Sequence, residues 1–164
     1  MRKKTKNFLG MAAAILVLLA GTLPAAASLP ANTLVSTRDG LETATVSWEG
    51  RPTLLVFFSP VCPYCRSELK ELEKLSTWPA AEGLRIVAVA PGEWPARVLN
   101  AAAAKWGLKG PEIFRDPGNA LFKAYRVKKV PYTVYLGADG NRKDAFLGAA
   151  TAAELEEFLL EQRN

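Results

Sequence analysis

Between residues 51 and 90 of this chain, apolar residues form two continuous runs with an amphipathic segment between them. The runs Arg51–Phe58 and Arg85–Ala90 are apolar almost throughout, which is typical of strands that are covered on both faces of a sheet. Between them, Pro63–Ser76 repeats its apolar residues at helical spacing, and Trp78 and Pro79 end the pattern. The order strand, helix, strand predicts two parallel strands joined by a crossover helix.

Helical segments follow the second strand. Pro95–Trp106 is rich in alanine and starts with a proline, which suits the first turn of a helix. A turn at Asp116–Asn119 leads into a shorter helical piece that ends at Tyr125. Ahead of the first strand, residues 28–50 predict an extended lead-in, with alternation over Ala44–Trp48.

The C-terminal part of the chain predicts a hairpin and a final helix. Pro131–Leu136 and Lys143–Leu147 flank an Asp-Gly turn, the pattern of a β-hairpin. Thr151 and Glu154 have the spacing of a capping box, and the helix that they open ends near Gln162. The whole order, β-α-β-α-(α)-β-β-α, predicts an α/β fold with a central mixed β-sheet flanked by helices.

The first 27 residues have the pattern of a bacterial export signal. Four basic residues between positions 2 and 6 precede the apolar run Phe8–Leu23, and Ala25–Ala27 supplies a cleavage motif. The run has 16 residues, fewer than the roughly 20 that a spanning helix needs. We expect cleavage after Ala27, with an uncleaved membrane anchor as the alternative, and a single domain over residues 28–164.

Removing this segment changes the charge of the chain. The segment holds four of the 21 Lys and Arg residues and none of the 16 acidic ones, which leaves 17 basic residues against 16 acidic residues, a net charge of +1. A basic nucleic-acid surface is not supported, so we expect no nucleic-acid partner. We interpret the pair Lys128-Lys129 as solvated surface residues, with a local binding patch as the alternative.

Cys62 and Cys65 are the only cysteines, and they form a Cys-Pro-Tyr-Cys motif between the first strand and the first helix. This arrangement suits two-electron thiol–disulfide chemistry, whereas a purely structural bridge across so short a loop would stabilise little. The chain has no histidine, which excludes Cys₂His₂ zinc sites, haem attachment through Cys-x-x-Cys-His and a Cys–His nucleophile pair. We expect no metal and no cofactor beyond the redox-active cysteine pair itself.

The motif predicts an order of attack. Pro63 suits the first position of the helix, which makes Cys62 the cap residue and points its sulfur at unsatisfied backbone N–H groups. That setting favours a thiolate and lowers the thiol pKa, while Cys65 lies one turn inside and is less exposed. In the predicted cycle Cys62 attacks a partner disulfide, and Cys65 then attacks Cys62 to release the partner; in reverse, the same steps oxidise a partner.

Glu68 falls within the apolar arc of this helix, one turn from Cys65. The arc otherwise consists of leucines at positions 69, 72 and 75. A partly buried carboxylate has a raised pKa and can exchange a proton with a thiol near neutral pH. The alternative is that Glu68 lies at the edge of the arc and turns out to solvent.

Together these features resemble the thioredoxin superfamily, specifically its exported TlpA/ResA-type thiol–disulfide oxidoreductases, from about Gly50 to Gln162. The segments that carry the resemblance are Leu54–Glu68 around the cysteine motif, the strand Arg85–Ala90, Phe114–Asp116, Tyr125–Pro131, Tyr135–Gly140 with Gly148 after it, and the closing helix.

The resemblance implies a four- or five-stranded thioredoxin sheet in which Pro131 is cis and lies beside the cysteines, rather than being an ordinary proline at a strand start. Val130 would present its backbone to an extended substrate segment, and Glu68 matches an acid that the family carries three residues after its second cysteine. The implied catalytic residues are Cys62, Cys65, Glu68 and Pro131, and the implied substrate-binding residues are Pro63, Tyr64, Val130 and Tyr132.

Three features of the sequence depart from the family pattern. Val61 stands where the family usually has Trp, and Tyr132 separates Pro131 from Thr133 where Thr usually follows directly. The dipeptide inside the motif, Pro-Tyr, is the one found in glutaredoxins. These departures leave the redox direction and the choice of substrate open, because the potentials of such motifs span roughly −270 to −120 mV across the fold.

Our main hypothesis is an exported, periplasmic thiol–disulfide oxidoreductase that acts on protein thiols or disulfides as a reductant. The family implies a membrane thiol electron donor and, as a client, an apocytochrome c whose haem-binding cysteines must be reduced. One alternative is an oxidant or isomerase that donates disulfides to exported proteins. The other is a thioredoxin-fold binding module whose disulfide is inert.

Overall fold

A mixed β-sheet runs through the part of the chain that the computed structural model describes, which comprises residues 33–36, 43–45, 47–75 and 83–162 of 164. Its strands are β1 (Thr33–Ser36), β2 (Thr43–Thr45), β3 (Thr53–Phe57), β4 (Arg85–Pro91), β5 (Glu112–Asp116), β6 (Tyr132–Leu136) and β7 (Arg142–Leu147). Its helices are α1 (Pro63–Leu75), α2 (Ala96–Trp106), α3 (Ala120–Ala124), which follows a 3₁₀ turn at Pro117–Asn119, and α4 (Ala152–Glu161). The predicted export signal and the predicted helix stop at Trp78 and Pro79 lie outside the described residues.

The strand order is β2-β1-β5-β4-β3-β6-β7, with β3, β4 and β5 mutually parallel and the other pairings antiparallel. The predicted α/β class, the parallel β3–β4 pair and the β6–β7 hairpin are therefore confirmed. No helix among the described residues has the length and apolar character needed to cross a membrane.

The sequence pattern indicated no strand between α2 and α3, because Glu112 and Arg115 interrupt the apolar residues of β5 and leave no continuous run. The sheet of four or five strands that the resemblance implies is confirmed, since β3 to β7 form five adjacent strands. Among the described residues, β1 and β2 of the predicted lead-in extend this sheet beyond β5. The missed strand, β5, pairs with β1 and β4, which lie far from it in sequence.

Each face of the sheet has its own core, and β3 contributes to both. Leu54 and Val56 face the core that α1, α2 and α4 cover, whereas Leu55 and Phe57 face the core that α3 covers. Every residue of β3 is therefore buried, which is the physical reason for its unbroken apolar run.

The C-terminal end of β3 lies beside the N-terminal end of β6, and this contact positions the cysteines. In the antiparallel β3–β6 pair, Phe57 at the end of β3 lies opposite Tyr132 at the start of β6. The residues that follow Phe57, including Cys62, therefore lie next to the residues that precede Tyr132, including Val130 and Pro131.

The capping box at the start of α4 is confirmed. The Thr151 hydroxyl accepts a hydrogen bond from the Glu154 backbone N–H, and the Glu154 carboxylate accepts one from the Thr151 N–H at 2.7 Å. The Thr151 N–H and the Thr151 hydroxyl, which donates to the same carboxylate at 2.8 Å, hold the pKa of the Glu154 carboxyl below its usual value. The box fixes the start of the helix that packs Leu155 and Leu159 against α1 and β6.

Replacing Thr151 with Ala should therefore lower the free energy of unfolding by roughly 0.5–2 kcal/mol, because the Glu154 N–H loses its acceptor and the Glu154 carboxylate loses the hydroxyl donor. Urea denaturation of the oxidised protein measures this loss. Thr151→Ser retains the hydroxyl and should stay close to the parent. Equal losses in both variants would show that the methyl group, not the cap, carries the effect.

Candidate active site

Cys62 and Cys65 are joined by a disulfide, with their Cα atoms 5.2 Å apart. Cys65 lies in the first turn of α1 and is completely buried in the core, whereas Cys62 is partly exposed. A partner thiol or disulfide can therefore reach only the Cys62 sulfur from solvent. This accessibility matches the predicted order in which Cys62 attacks first and Cys65 resolves.

The Cys62 sulfur occupies the cap position of α1. It accepts a hydrogen bond from the Cys65 backbone N–H at 3.1 Å, and the Cys62 carbonyl accepts the first helical bond from the Arg66 N–H. Pro63 lacks an N–H and starts the helix without leaving a donor unsatisfied. The N–H group and the positive end of the helix dipole both stabilise negative charge on this sulfur once the disulfide is reduced.

The opposite side of the site is the loop that precedes β6. The Val130–Pro131 peptide bond is cis, as the resemblance implies. The Val130 carbonyl oxygen lies 3.8 Å from the Cys62 Sγ atom, and the Pro131 carbonyl accepts a hydrogen bond from the Gly148 N–H at 2.9 Å. The backbone at Val130 therefore borders the reactive sulfur, while the Pro131 backbone is tied to the end of β7.

Glu68 is completely buried, with no exposed surface, so the alternative in which it turns out to solvent is wrong. One carboxylate oxygen accepts a hydrogen bond from the Thr133 hydroxyl, and the other is buried with no hydrogen-bond partner. Burial raises the pKa of Glu68 to about 7, and the Thr133 hydrogen bond offsets part of that rise. Near neutral pH this carboxyl can therefore both hold and release a proton.

Thr133 is a site residue that sequence reasoning missed. In the sequence it only marks the position that Tyr132 separates from Pro131, yet its hydroxyl is the hydrogen-bond donor to Glu68 across 65 residues of chain. A usable signal exists in the sequence. Alternation along β6 places Thr133 on the face opposite Val134, so a polar residue points toward the same core as the apolar arc of α1.

The structure brings some of the predicted substrate-binding residues together and separates another. Pro63 and Tyr64 are exposed beside the disulfide, and together with Val61 they form an apolar rim on which Tyr64 is 69% and Val61 71% exposed. The Tyr132 side chain instead packs on Phe57, in the core on the other face of the sheet.

A metal centre has no support among the described residues, where no three side chains of His, Cys, Asp or Glu converge into a possible ion site. The chemistry available to the described site is that of the disulfide, the Glu68 carboxyl and the backbone.

The raised pKa of Glu68 predicts that stability falls as pH rises. The folded protein holds the proton up to about pH 7, whereas the unfolded chain releases it near pH 4.5. Stability linked to this group is thus fully present below pH 4.5 and is lost as pH rises toward 7. We expect the free energy of unfolding of the oxidised protein, measured in urea, to fall by roughly 2–3 kcal/mol between pH 5 and pH 8.

Matched variants assign this pH dependence to Glu68. Glu68→Gln should abolish it, since the chain has no histidine to titrate in the same window. Thr133→Val removes the hydrogen bond that lowers the Glu68 pKa and should extend the loss to higher pH, whereas Thr133→Ser should resemble the parent. A parent protein whose stability is flat from pH 5 to pH 8 would contradict the raised pKa.

Comparison with known proteins agrees with this geometry. A family model described as a thioredoxin-like domain matches residues 40–163. The thiol–disulfide oxidoreductase ResA of Halalkalibacterium halodurans is 29% identical over 111 residues, which are 68% of this chain and 62% of that protein. The ResA of Geobacillus kaustophilus is 25% identical over an alignment that covers 96% of this chain and 97% of that protein.

The crystal structure of StoA from Bacillus subtilis matches this fold with a TM-score of 0.65 at 25% identity, covering 80% of this chain and 98% of StoA. The matched family region contains the sheet from β3 to β7 and the disulfide at the start of α1. The chain therefore belongs to the thioredoxin-like domain family and is a thiol–disulfide oxidoreductase similar to ResA and StoA, with Cys62 and Cys65 as its redox-active pair.

Proposed function

We propose that this protein is an exported reductant of protein disulfides, with Cys62 as the attacking thiol and Cys65 as the resolving thiol. The observation that carries the proposal is the single accessible sulfur of a Cys-Pro-Tyr-Cys disulfide, held at a helix start beside the Val130 carbonyl. The named activity of the relatives ResA and StoA supports the same class of reaction.

In the proposed cycle the reduced protein transfers two electrons to a client disulfide. The Cys62 thiolate attacks one client sulfur, the client disulfide breaks, and its other sulfur leaves as a thiolate that takes a proton from solvent. Cys65 then loses its proton and attacks the Cys62 sulfur, which breaks the intermolecular disulfide and frees the second client thiol. The product is the Cys62–Cys65 disulfide, which an electron donor must reduce before the next cycle.

Glu68 is proposed to take the proton of Cys65 in the second attack. The two residues lie about one turn apart on the buried face of α1, where water is scarce. The Glu68 oxygen without a hydrogen-bond partner provides an acceptor, and a pKa near 7 matches proton transfer at neutral pH. Thr133 acts as a positioning residue, because its hydroxyl holds the other carboxylate oxygen.

Pro131 and its neighbours are proposed to receive the client chain. Val130 would present its backbone to an extended client segment next to Cys62, with the cis Pro131 shaping that edge. The exposed residues Pro63 and Tyr64 would contact the client from the helix side. Tyr132 would contribute from the opposite face of the sheet, where its ring packs on Phe57.

The Cys65 N–H and the start of α1 stabilise a thiolate on Cys62, but two features of the site limit that stabilisation and support the reductant direction. Strong oxidants of this fold owe their potential to a stabilised thiolate in the reduced form. Here the motif dipeptide, Pro63 and Tyr64, carries no charge, and the chain has no histidine to stabilise a thiolate. The Val130 carbonyl oxygen presents a partial negative charge 3.8 Å from the sulfur, which favours the thiol.

Export and the redox partners complete the proposal. The basic and apolar pattern of residues 1–27 supports export to the periplasm, with cleavage after Ala27 or retention as an anchor. A membrane thiol carrier would supply electrons, and an apocytochrome c with paired haem-binding cysteines is a client of the proposed kind. The reaction requires no metal and no bound cofactor, since the disulfide itself carries both electrons.

The reduction potential of the Cys62–Cys65 pair tests the direction. Equilibration with dithiothreitol buffers should give a value nearer −270 mV than −120 mV. Tyr64→His places an ionisable imidazole inside the motif and should move the potential toward the oxidising end, because it stabilises the Cys62 thiolate. A parent value near −120 mV would support the disulfide-donating alternative instead.

Trapping of mixed disulfides tests whether the Cys62–Cys65 pair reacts with other proteins. Cys65→Ala removes the resolving thiol and should accumulate mixed disulfides with exported proteins through Cys62, visible after acid quenching on non-reducing gels. Cys62→Ala leaves only the buried Cys65 and should trap nothing. If neither variant forms mixed disulfides, the inert binding module becomes the better description.

A further inference from the structure

A pocket of about 370 Å³ borders the loop that carries Val130 and Pro131. It is lined by residues of the segment after α3 together with residues from the paired ends of β6 and β7: Tyr125, Arg126, Val127, Lys128, Lys129, Tyr132 and Leu147. The pocket belongs to the core side that contains Phe57, whereas Cys65 packs in the other core. It is therefore distinct from the immediate surroundings of the disulfide.

The interior of the pocket is apolar and aromatic. The rings of Tyr125 and Tyr132 pack on Phe57, with centroids 5.3 and 6.1 Å from its ring. Leu147 is 60% exposed at the pocket. The Tyr125 hydroxyl is buried and has no hydrogen-bond partner among the described residues.

The charged side chains that line the pocket are all basic. Arg126, Lys128 and Lys129 lie within four consecutive positions, and no acidic residue shares the lining. None of the three forms an ion pair with a described residue. The chain beyond the predicted signal has a net charge of only +1, so this concentration of positive charge is local.

The pocket is continuous with the backbone that borders the reactive sulfur. Lys129 directly precedes Val130, whose carbonyl oxygen faces the Cys62 sulfur. Tyr132 directly follows Pro131, and Leu147 precedes Gly148, whose N–H donates to the Pro131 carbonyl. The backbone segment that borders the Cys62 sulfur is therefore flanked on both sides by residues that line the pocket.

We propose that this pocket is a client-selecting subsite that binds an acidic polypeptide segment beside the client's reactive cysteine. An apolar or aromatic client side chain would enter between Tyr125, Tyr132 and Leu147. Adjacent client carboxylates would pair with Arg126, Lys128 and Lys129. The subsite thus prefers clients whose cysteines are flanked by acidic and apolar residues, and this inference rests on the proposed function.

A polypeptide fits these features better than a small anion does. Inorganic phosphate would pair with the cations but leave the aromatic lining and Leu147 uncovered. A segment that combines carboxylates with an apolar side chain satisfies both parts of the lining at once.

Two matched peptides test the proposal on the full-length protein. Both carry one cysteine as a mixed disulfide with a neutral fluorescent thiol and one phenylalanine; glutamates flank the cysteine in one peptide and lysines in the other. Release of the fluorescent thiol by the reduced protein gives kcat/KM for each. We expect the parent to prefer the acidic peptide, and Lys128→Glu/Lys129→Glu to lower the ratio of acidic to basic kcat/KM about tenfold or more.

The double variant Lys70→Glu/Lys105→Glu is the control, because it makes the same change in net charge at exposed positions outside the pocket. It should leave the ratio close to that of the parent. An equal fall in both double variants would overturn the proposal in favour of long-range attraction alone. A parent without preference would overturn it as well.

A binding measurement separates failure of the subsite from failure of the proposed function. Peptides with serine in place of cysteine cannot react, and their fluorescence anisotropy with the oxidised protein reports docking alone. Tighter binding of the acidic peptide, weakened in Lys128→Glu/Lys129→Glu, supports the subsite even if no disulfide is turned over. Equal binding of both peptides, or Lys128- and Lys129-dependent binding of phosphatidylglycerol vesicles without preference for the acidic peptide, would refute it.

Discussion

The antiparallel pairing of β3 with β6 is the contact on which the site depends. Its register sets Phe57 opposite Tyr132, so the cysteine motif that follows β3 meets the cis-proline loop that precedes β6. The same pairing places Thr133 on the face that receives Glu68. One strand pairing therefore assembles the reactive sulfur, the backbone beside it and the buried acid, although these groups lie far apart along the chain.

Burial then decides the chemistry of each group. Cys65 and Glu68 lie on the buried face of α1, and Cys62 at its start remains accessible. A carboxyl removed from water resists ionisation until about pH 7, which suits Glu68 to the proposed role of proton acceptor for a thiol near neutral pH. Stability is lost as this acid ionises, so the feature that serves the proposed reaction costs free energy of folding.

The loop from Tyr125 to Tyr132 contributes both to the surroundings of Cys62 and to the basic pocket. One end of it presents a carbonyl oxygen to Cys62, and the rest lines a basic pocket against the second core. Electron transfer through a disulfide requires only that two sulfurs meet, so it carries little selectivity of its own. Contacts beside the disulfide can distinguish one client from another. Charged side chains do so by changing both the rate of association and the affinity for the client.

Local features of the chain could be predicted because neighbouring residues determine them. The α/β class, the start of α1, the limits of α4, the capping box at Thr151, the β6–β7 hairpin and the placement of Glu68 in an apolar arc all follow from spacing within a few residues. The resemblance to thioredoxin-like oxidoreductases added the cis peptide at Pro131. The sequence by itself thus determined the fold class, the cysteine chemistry and the residues nearest to it.

Tertiary structure alone decided the remaining features. The strands β1, β2 and β5, the Thr133–Glu68 hydrogen bond, the Tyr132 ring on the far face of the sheet and the basic pocket all depend on strand order and register. Strand register cannot be read from local periodicity, since a shift of one residue exchanges the two faces of a strand. Contacts between segments that are dozens of residues apart are therefore settled only when the sheet forms.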